Sequence, residues 1–470
     1  MTLSYEVLRE RQNTVRYNWG FRFALWCALF WGLSYLGLGM LSKDGPFLSM
    51  SIGQLNPFFG AGIIALIIAL IQAAVSIVWT SFYGSFSEWR RFIFRFDRIN
   101  LYYLLSALCS GSVAWLAYVA LIMTDATFAV AMVMFYPIFG ALIANRWYQE
   151  KVFKQCIVGL IIIGIGCGVL YLPNAFGASG ISFALIIIIG MLVGLGWGLE
   201  STIATRAMDV TSANLGASVR LTYEALIWLA IAVLVAVFSP DRLELSNAVI
   251  SVFSEQRTVL LLVVASVALA FNYFSWYQSF LLCGVCRGLA VSDLSSFVTV
   301  LVGMIILIGQ PSPSAVIACL LMLFGVFLVY FGQAGEVGVL RDVNLGSNTK
   351  ELVGARPRKQ MTLKSQVLVM IAECDSKWDH QIVNEVLSVA DSPWQQKRLA
   401  RRTHLALIES AAAGLIKPVE DAIDDGSHFH EGRLNTCYQL TVFGSKRLES
   451  LRLVSAIPDT TQDPIAHRRE

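Results

Sequence analysis

The stretch FFGAGIIALIIALIQAAVSIVWTSF, residues 58–82, decides the fold class. It contains no charged residue over a length that exceeds the roughly 20 apolar residues needed to cross about 30 Å of hydrocarbon. The sequence therefore predicts an all-α polytopic membrane protein with ten transmembrane helices, although the last two runs could form one re-entrant hairpin. The nine other apolar runs are 21–41, 101–123, 126–146, 154–172, 181–204, 219–238, 258–282, 289–309 and 313–332.

Composition divides the chain near residue 332. Of the 470 residues, 56% are hydrophobic and only 14% are charged, a balance that excludes an ordinary soluble protein. Charged residues occupy 31 of the first 332 positions but 36 of the last 138, and the second fraction is normal for a soluble domain. We predict an N-terminal segment (1–20), a first five-helix repeat (21–172), a second five-helix repeat (181–332), a linker (333–360), a small α+β domain (361–455) and a disordered tail (456–470).

Lys and Arg residues in the connecting segments predict the orientation. With the N-terminus in the cytoplasm, fourteen of them fall on the cytoplasmic side, while Lys43, Arg242 and Arg257 fall on the other side. An even number of spans returns the chain to the cytoplasm. We therefore expect a multi-pass protein of the cell (inner) membrane with both termini in the cytoplasm. The expected partner of the membrane domain is the lipid bilayer, and the sequence does not decide whether the protein forms a homodimer.

Landmarks of the first half recur in the second half. Trp31-Gly32 in the first span matches Trp197-Gly198 in the sixth, and about 160 residues separate Tyr118-Val-Ala-Leu from Tyr277-Gln-Ser-Phe. Five spans in each half would invert the second half relative to the first, which is the plan of many transporters. The alternative is that Trp-Gly pairs and Gly-rich helices recur in any polytopic protein. The shared order of landmarks favours two inverted repeats.

A run of motifs in the first half has a counterpart in a known family. It comprises Tyr118-Val-Ala-Leu, a span with a central Pro137, Glu150-Lys151 at the end of that span, and the Gly-spaced helix Gly159–Gly168. This run resembles the repeated module of the drug/metabolite transporter superfamily, the EamA-like proteins, and the resemblance covers about residues 20–332. It implies ten helices in two inverted repeats around a central substrate cavity, with export of small metabolites or drugs as the usual activity.

The second half departs from that module at two positions. Phe297 or Val298 stands where the module has its proline, and Gln310 or Pro311 stands where it has its glutamate. The expected fold is unchanged, but the second repeat supports no inference about substrate or gating.

Three carboxyl side chains within the spans are candidates for proton coupling, because ionisable groups in hydrocarbon are costly and commonly functional. Glu200 would line the inner mouth of a central cavity; the alternative places it at the cytoplasmic interface near Arg206. Glu224 has Arg220 one turn away, which predicts an i,i+4 ion pair. Asp293 lies near a predicted helix start, where a carboxylate favours the helix dipole and acts as a cap.

Aromatic and amide side chains within the spans are the candidates for substrate binding. Rings near headgroups belong to interface belts, but polar groups in mid-span need partners inside the bundle. Aromatic walls with a few hydrogen-bonding groups suit a small organic ligand, while helix packing is the alternative for each single residue. The expected cavity residues are Trp31, Tyr118, Tyr136, Trp197, Asn272, Tyr273, Trp276 and Gln278.

Catalytic motifs are absent from the sequence. It contains no P-loop, no HExxH and no GxSxG pattern, and the Cys283–Cys286 pair lacks a second pair or a nearby His. We expect no enzyme activity, no cofactor and no metal site, so that a gradient or substrate exchange supplies the driving force. The predicted function is export or exchange of small organic metabolites or drugs by alternating access. The alternative is a membrane-anchored small-molecule sensor that signals to DNA or protein through its soluble domain.

The polar C-terminal part carries its own pattern. Predicted helices at 362–374, 379–390 and 393–413 precede strand-like segments at 415–420 and 436–441, and a helix from Gly444 closes the pattern. Ala413-Gly414-Leu-Ile, a hairpin and Tyr438-Gln-Leu-Thr-Val-Phe-Gly resemble the winged-helix fold of transcriptional regulators over about residues 362–453. The resemblance implies a regulatory domain.

The third predicted helix of this part has basic residues at spacings of three to four, which places them on one face. A basic helix suits the major groove of DNA. However, the segment from residue 333 has 18 basic and 18 acidic residues, and Asp424-Asp425 in the loop would repel phosphate. DNA, anionic lipid and a protein partner therefore all remain open. The basic residues are Lys397, Arg398, Arg401 and Arg402.

Overall fold

The structure, a computed structural model, describes residues 5–41, 45–51, 57–123, 136–175, 183–238, 242–307, 313–331, 338–347, 352–353, 355–390 and 392–456. Gln310, Pro311 and residues 457–470 of the predicted tail lie outside these ranges, and the predicted span 126–146 and the predicted linker 333–360 lie only partly within them. The chain forms two compact units. The membrane unit is Glu10–Asp342, and the C-terminal unit is Val343–Glu470 together with Met1–Arg9.

The membrane unit is helical. Eight of its described helical segments are long and apolar enough to cross a membrane, so the chain is a helical multi-pass membrane protein, as its composition predicts. The helices are α1 (Tyr5–Leu41), α2 (Gly45–Ser51), α3 (Pro57–Tyr83), α4 (Phe86–Phe94), α5 (Arg98–Met123), α6 (Tyr136–Tyr148), α7 (Lys154–Ala175), α8 (Phe183–Met208), α9 (Ala213–Phe238), α10 (Arg242–Ser254), α11 (Gln256–Cys283), α12 (Val285–Ser292), α13 (Ser295–Leu307) and α14 (Pro313–Phe331).

Several helices extend beyond the apolar runs that predict them. Helix α1 begins at Tyr5 rather than near residue 21, and α9 begins at Ala213 rather than near residue 219. Apolar composition reports the part of a helix that faces lipid, whereas polar turns continue the helix wherever protein or water satisfies them. The run 289–309 is also divided, because Asp293 and Leu294 separate α12 from α13.

Glycines bring α7 and α14 into close contact, and these two helices form the most extensive helix pair of the described residues. A Cβ atom added at Gly159 would lie 2.6 Å from the carbonyl oxygen of Gly325, and one added at Gly325 would lie 2.7 Å from the carbonyl oxygen of Gly159. One turn further on, Val329 contacts Gly159 and Ile163 contacts Gly325. Such small-residue contacts hold helices together in lipid, where apolar burial between helices gains little.

The two Trp-Gly pairs pack in similar ways. A Cβ at Gly32 would lie 2.7 Å from Ser295 of α13, and one at Gly198 would lie 2.8 Å from the backbone nitrogen of Gly140 in α6. Each glycine therefore lets its helix approach a neighbouring helix closely. The adjacent rings of Trp31 and Trp197 meet edge to face, with centroids 5.3 Å apart.

A short segment at 338–342 ends the membrane unit. Its backbone pairs with the loop between α6 and α7: Lys151 N donates to Leu340 O at 3.0 Å, and Asp342 N donates to Gln149 O at 2.7 Å. The buried Arg341 forms an ion pair of 2.8 Å with Asp209, just beyond the end of α8. Arg16 of α1 donates to Gly338 O at 3.1 Å. This segment, called here the strap, thus joins the ends of several helices.

The C-terminal unit is an α+β domain. Its three-stranded antiparallel sheet has the order β2-β4-β3, and β1 pairs with β5. Its elements are β1 (Leu352–Val353), a 3₁₀ turn (Arg358–Gln360), α15 (Leu363–Ala372), β2 (Lys377–Trp378), α16 (Asp379–Leu387), α17 (Pro393–Ala412), β3 (Ile416–Ile423), β4 (Leu434–Leu440), α18 (Val442–Ser450) and β5 (Ser455–Ala456).

Side-chain caps set the helix starts of this unit. Thr362 accepts from Ser365 N, Ser392 accepts from Gln395 N with Pro393 in the first turn, and Thr441 accepts from Gly444 N. The cap explains why α18 begins at Val442 rather than at Gly444. The pattern of the sequence does not predict β2, because a two-residue strand is too short to show alternation.

Two titratable groups of the C-terminal unit, the buried Asp379 and the half-buried His404, predict opposing pH effects. Burial raises the pKa of Asp379 to about 6 and lowers the pKa of His404 to about 4. The raised pKa of Asp379 means that protonation stabilises the fold as the pH falls below about 6. The lowered pKa of His404 means that the fold loses stability as the pH falls below the ordinary value of 6.5.

We therefore expect the unit to change little in stability between pH 7 and pH 5, since the two effects offset each other. Asp379→Asn should lose about 2 kcal/mol over that interval, because only the effect of His404 is left, and His404→Gln should gain about 1 kcal/mol. The stability of the unit at each pH is measured by amide hydrogen exchange of peptides from α15 to α17 in the full chain, after correction for the pH dependence of the intrinsic exchange rates. The assignment of these effects to Asp379 and His404 is wrong if the stability of both variants changes with pH as the stability of the parent protein does.

Candidate functional site

A small cavity lies among α1, α3, α5, α8, α9 and α11. Its volume is about 50 Å³, which is room for a few water molecules. Five of the expected residues line it, and Gln72, Glu224 and Trp228 are lining residues that the sequence analysis did not assign to it. The five are Trp31, Tyr118, Trp197, Asn272 and Tyr273.

The remaining expected cavity residues lie behind this wall. Trp276 and Tyr136 pack on Trp31, with ring centroids 5.8 Å and 5.3 Å from it. The hydroxyl of Tyr136 also hydrogen-bonds the hydroxyl of Ser292 at 2.7 Å. Gln278 is buried on α11 and is not among the residues that line the cavity. Trp276 and Tyr136 thus support the aromatic wall rather than form its surface.

The amide of Asn272 has a partner across the bundle. The thiol of Cys27 on α1 donates to its side-chain oxygen at 2.7 Å. Asn272 therefore lines the cavity and also joins α11 to α1. Both interpretations of a polar group in mid-span, ligand binding and helix packing, are compatible with this position.

Arg220 is the centre of a buried ion cluster beside the cavity. Its Nε lies 2.8 Å from Oε1 of Glu200, and its Nη1 lies 2.5 Å from Oε2 of Glu224. Its Nη2 donates to the hydroxyls of Tyr273, at 3.0 Å, and Ser110. The guanidinium also stacks over the ring of Tyr273 at 4.1 Å. Four helices, α5, α8, α9 and α11, thus contribute to one cluster.

The position of Glu200 differs from the interfacial alternative. Its side chain is fully buried and also accepts a hydrogen bond of 3.3 Å from Tyr277, whereas Arg206 lies over the ring of Tyr102 at 5.5 Å. The expected i,i+4 ion pair of Glu224 with Arg220 is present. The apolar pattern does not predict the contact between Arg220 and Glu200, because a span that starts at residue 219 places Arg220 at the end of its helix, whereas it lies two turns inside α9.

The charges of this cluster do not balance. Arg220 is the one cation that contacts the two carboxylates Glu200 and Glu224 within the described residues. When all three groups are ionised, the cluster carries one surplus negative charge in a setting where an uncompensated charge is very costly. Glu224 is the member that lines the cavity. The cluster therefore provides a place for a proton or for a cationic ligand.

Asp293 does not cap a helix start, and that expectation is wrong. It lies at the C-terminal end of α12, its backbone N–H donates to Leu289 O, and α13 begins two residues later at Ser295. Its carboxyl group is buried, and neither oxygen has a hydrogen-bond partner among the described residues. It is not a lining residue of the cavity.

The expected basic face of α17 is only partly exposed. Lys397 and Arg401, one turn apart, are exposed. Arg398 is half-buried and stacks over Trp394 at 4.1 Å, and Arg402 is buried with 7% exposure. Arg402 lies on the side of the helix that packs into the domain, so that of these four basic residues Lys397 and Arg401 are the exposed ones.

Metal-ligating residues do not cluster in the part of the chain that the structure describes: it contains no group of three His, Cys, Asp or Glu that could hold a metal ion.

Comparisons with known proteins concern the fold alone. No protein-family model matches the sequence, and no curated protein matches it. Among 27 matching chains of solved structures, one, known only as a crystal structure of a protein, has a TM-score of 0.50 and 16% identity. The match covers 66% of this chain and 94% of the other.

Proposed function

We propose that this protein transports small organic molecules across the membrane by alternating access, as an exporter or exchanger. The observation that carries this proposal is the cavity in which aromatic rings surround the carboxylate Glu224 inside the bundle. Ligand sites commonly combine apolar and aromatic walls with a few polar groups. Because the cavity holds only about 50 Å³ here, a substrate would enter after the rings move apart.

We further propose that the membrane unit contains ten spans in two inverted five-helix repeats, as in the drug/metabolite transporter superfamily. Trp31 and Trp197 are 166 positions apart, and so are Gly159 and Gly325. A pseudo-twofold axis between α7 and α14 would exchange these two glycines and explain their reciprocal contact. The same operation would exchange the packing of α1 on α13 with that of α8 on α6.

The C-terminal unit is proposed to be a cytoplasmic regulatory domain of the winged-helix type. Its order, α15-β2-α16-α17-β3-β4 with the sheet order β2-β4-β3, supports this assignment. The bias of Lys and Arg supports a cytoplasmic location in a protein of the cell (inner) membrane. With Lys397 and Arg401 as the exposed basic pair of α17, DNA, anionic lipid and protein remain its candidate partners.

Flux into vesicles that contain the purified protein tests the transport proposal. Candidate substrates come from a screen for ligands that raise the unfolding temperature. We expect a stabilising ligand to cross the vesicle membrane faster than it crosses protein-free vesicles. Binding without any flux would reject transport and support the sensor that is the alternative.

Glu200→Gln tests proton coupling. We expect at least about a tenfold loss of flux at ligand concentrations that still saturate the binding site, because the neutral amide keeps the shape but cannot exchange a proton. The pH dependence of flux should also disappear. Glu88→Gln on α4, outside the cluster, is the matched control and should behave as the parent protein. An unchanged pH dependence in Glu200→Gln would remove this residue from the coupling mechanism.

A further inference from the structure

A groove on the surface of α3, α5 and α9 adjoins the cavity. Its volume is about 760 Å³, which lies within the range of small-molecule sites. Its lining is apolar apart from a few groups such as Ser112, whose hydroxyl donates to Leu108 O at 2.9 Å in its own helix. The indole of Trp115 donates to Phe58 O at 3.4 Å. The groove therefore suits an apolar chain.

The partition between groove and cavity is thin. Trp228 lines both spaces. Gly111 lies in the wall of the groove, and a Cβ added there would lie 3.5 Å from Nε1 of Trp228 and 3.7 Å from Oε1 of Glu224. The absence of a side chain at Gly111 thus leaves the carboxylate of Glu224 directly behind the groove. A movement of Trp228 would join the two spaces.

Charge indicates what would occupy the inner end. The cluster of Arg220, Glu200 and Glu224 has one carboxylate more than it has cations. Glu224 lines the cavity, and the rings of Trp31 and Trp197 line it as well. Aromatic faces and a carboxylate are the groups that attract an organic ammonium ion. With all three groups ionised, an anionic or neutral head would leave the surplus charge uncompensated, whereas a cationic head would compensate it without a bound proton.

We propose that the site binds an amphiphilic organic cation, an amine or quaternary ammonium compound whose head lies beside Glu224 and whose alkyl chain lies in the groove. This inference rests on the proposed function, since it names the substrate class of the same cavity. Trp228 moves aside to let the head pass from the groove into the aromatic cavity. The apolar lining of the groove and the negative cluster behind it act on different parts of one ligand.

Binding to the full-length protein in phosphatidylcholine nanodiscs tests this proposal, with empty nanodiscs subtracted. The probes are octyltrimethylammonium, tetramethylammonium, octanol and octyl sulfate. We expect octyltrimethylammonium to bind at least about tenfold more tightly than octanol or octyl sulfate, because octanol and octyl sulfate lack a positively charged head. Equal binding of the three octyl compounds would overturn the proposal.

Two variants separate head from chain. Glu224→Gln leaves Arg220 paired with Glu200 and should weaken both ammonium probes about tenfold. Gly62→Leu adds a side chain in the groove, where nothing lies within 4 Å of a Cβ, and should weaken octyltrimethylammonium about tenfold and tetramethylammonium less than twofold. Gly164→Leu, which also has open space around its Cβ, is the matched control and should change neither.

The outcomes distinguish this inference from the proposed function. If Gly62→Leu leaves octyltrimethylammonium binding unchanged, the groove is a contact for lipid chains and the inference fails. Flux of another solute without binding of the ammonium probes would also reject the inference while leaving transport intact. If the probes and variants bind as expected but no flux is measured, transport is rejected and the proposed binding site is retained.

Discussion

Replacing Arg220 by Met is expected to destabilise the membrane unit by about 3–5 kcal/mol, because it leaves Glu200 and Glu224 buried without their cation. Arg220→Lys should also be damaging, since an ammonium ion cannot reproduce the fork that reaches Glu200, Glu224 and the hydroxyl of Tyr273. Both effects are measured by heating the protein in detergent and determining, by size-exclusion chromatography, how much folded protein is left at each temperature.

Removing all three charges together provides the control. In the triple variant Glu200→Gln, Arg220→Met, Glu224→Gln, no buried charge of the cluster is left unpaired, so most of the stability should return. Arg206→Met removes a cation from outside the cluster and should have a small effect. If the triple variant were as unstable as Arg220→Met, lost packing rather than uncompensated charge would be the cause.

Gly159→Ala is expected to destabilise the pair of helices α7 and α14 by about 1–3 kcal/mol, because the new methyl group would meet the carbonyl oxygen of Gly325 at 2.6 Å. Gly325→Ala should have an effect of similar size, since its contact is reciprocal. Thermal unfolding of the membrane unit in nanodiscs measures the change.

A second glycine on α7 gives the matched comparison. Nothing lies within 4 Å of a Cβ at Gly164, so Gly164→Ala should be neutral or stabilise the helix by up to about 1 kcal/mol. Equal effects of the substitutions at Gly159 and Gly164 would show that the reciprocal contact contributes nothing to stability.

Apolar runs predict the helical membrane fold but not the full length of its helices. The run at 219–238 corresponds to α9, which begins at Ala213 with small and polar residues. These residues are buried in protein rather than in lipid, so hydrophobicity does not report them. In the C-terminal unit, the first three predicted helices agree with α15, α16 and α17 within a few residues, because each begins at a clear polar boundary.

The candidate site, too, can be predicted from the sequence only in part. Mid-span position alone selects five residues that line the cavity, Trp31 and Trp197 among them. It also selects Trp276, which lies one helical turn from Tyr273 yet packs behind the wall. The direction of a side chain depends on how its helix is rotated, and local sequence does not specify that rotation. The contact between Arg220 and Glu200 joins separate helices and is a property of the tertiary fold.

The strap joins the end of the membrane unit to three places, the first of which is Arg16 of α1, which donates to Gly338 O. Leu340 and Asp342 hold the loop between α6 and α7, and Arg341 holds Asp209. Because the C-terminal unit continues directly from Asp342, the covalent connection between the two units begins at residues that also hold the loop between α6 and α7 and the end of α8.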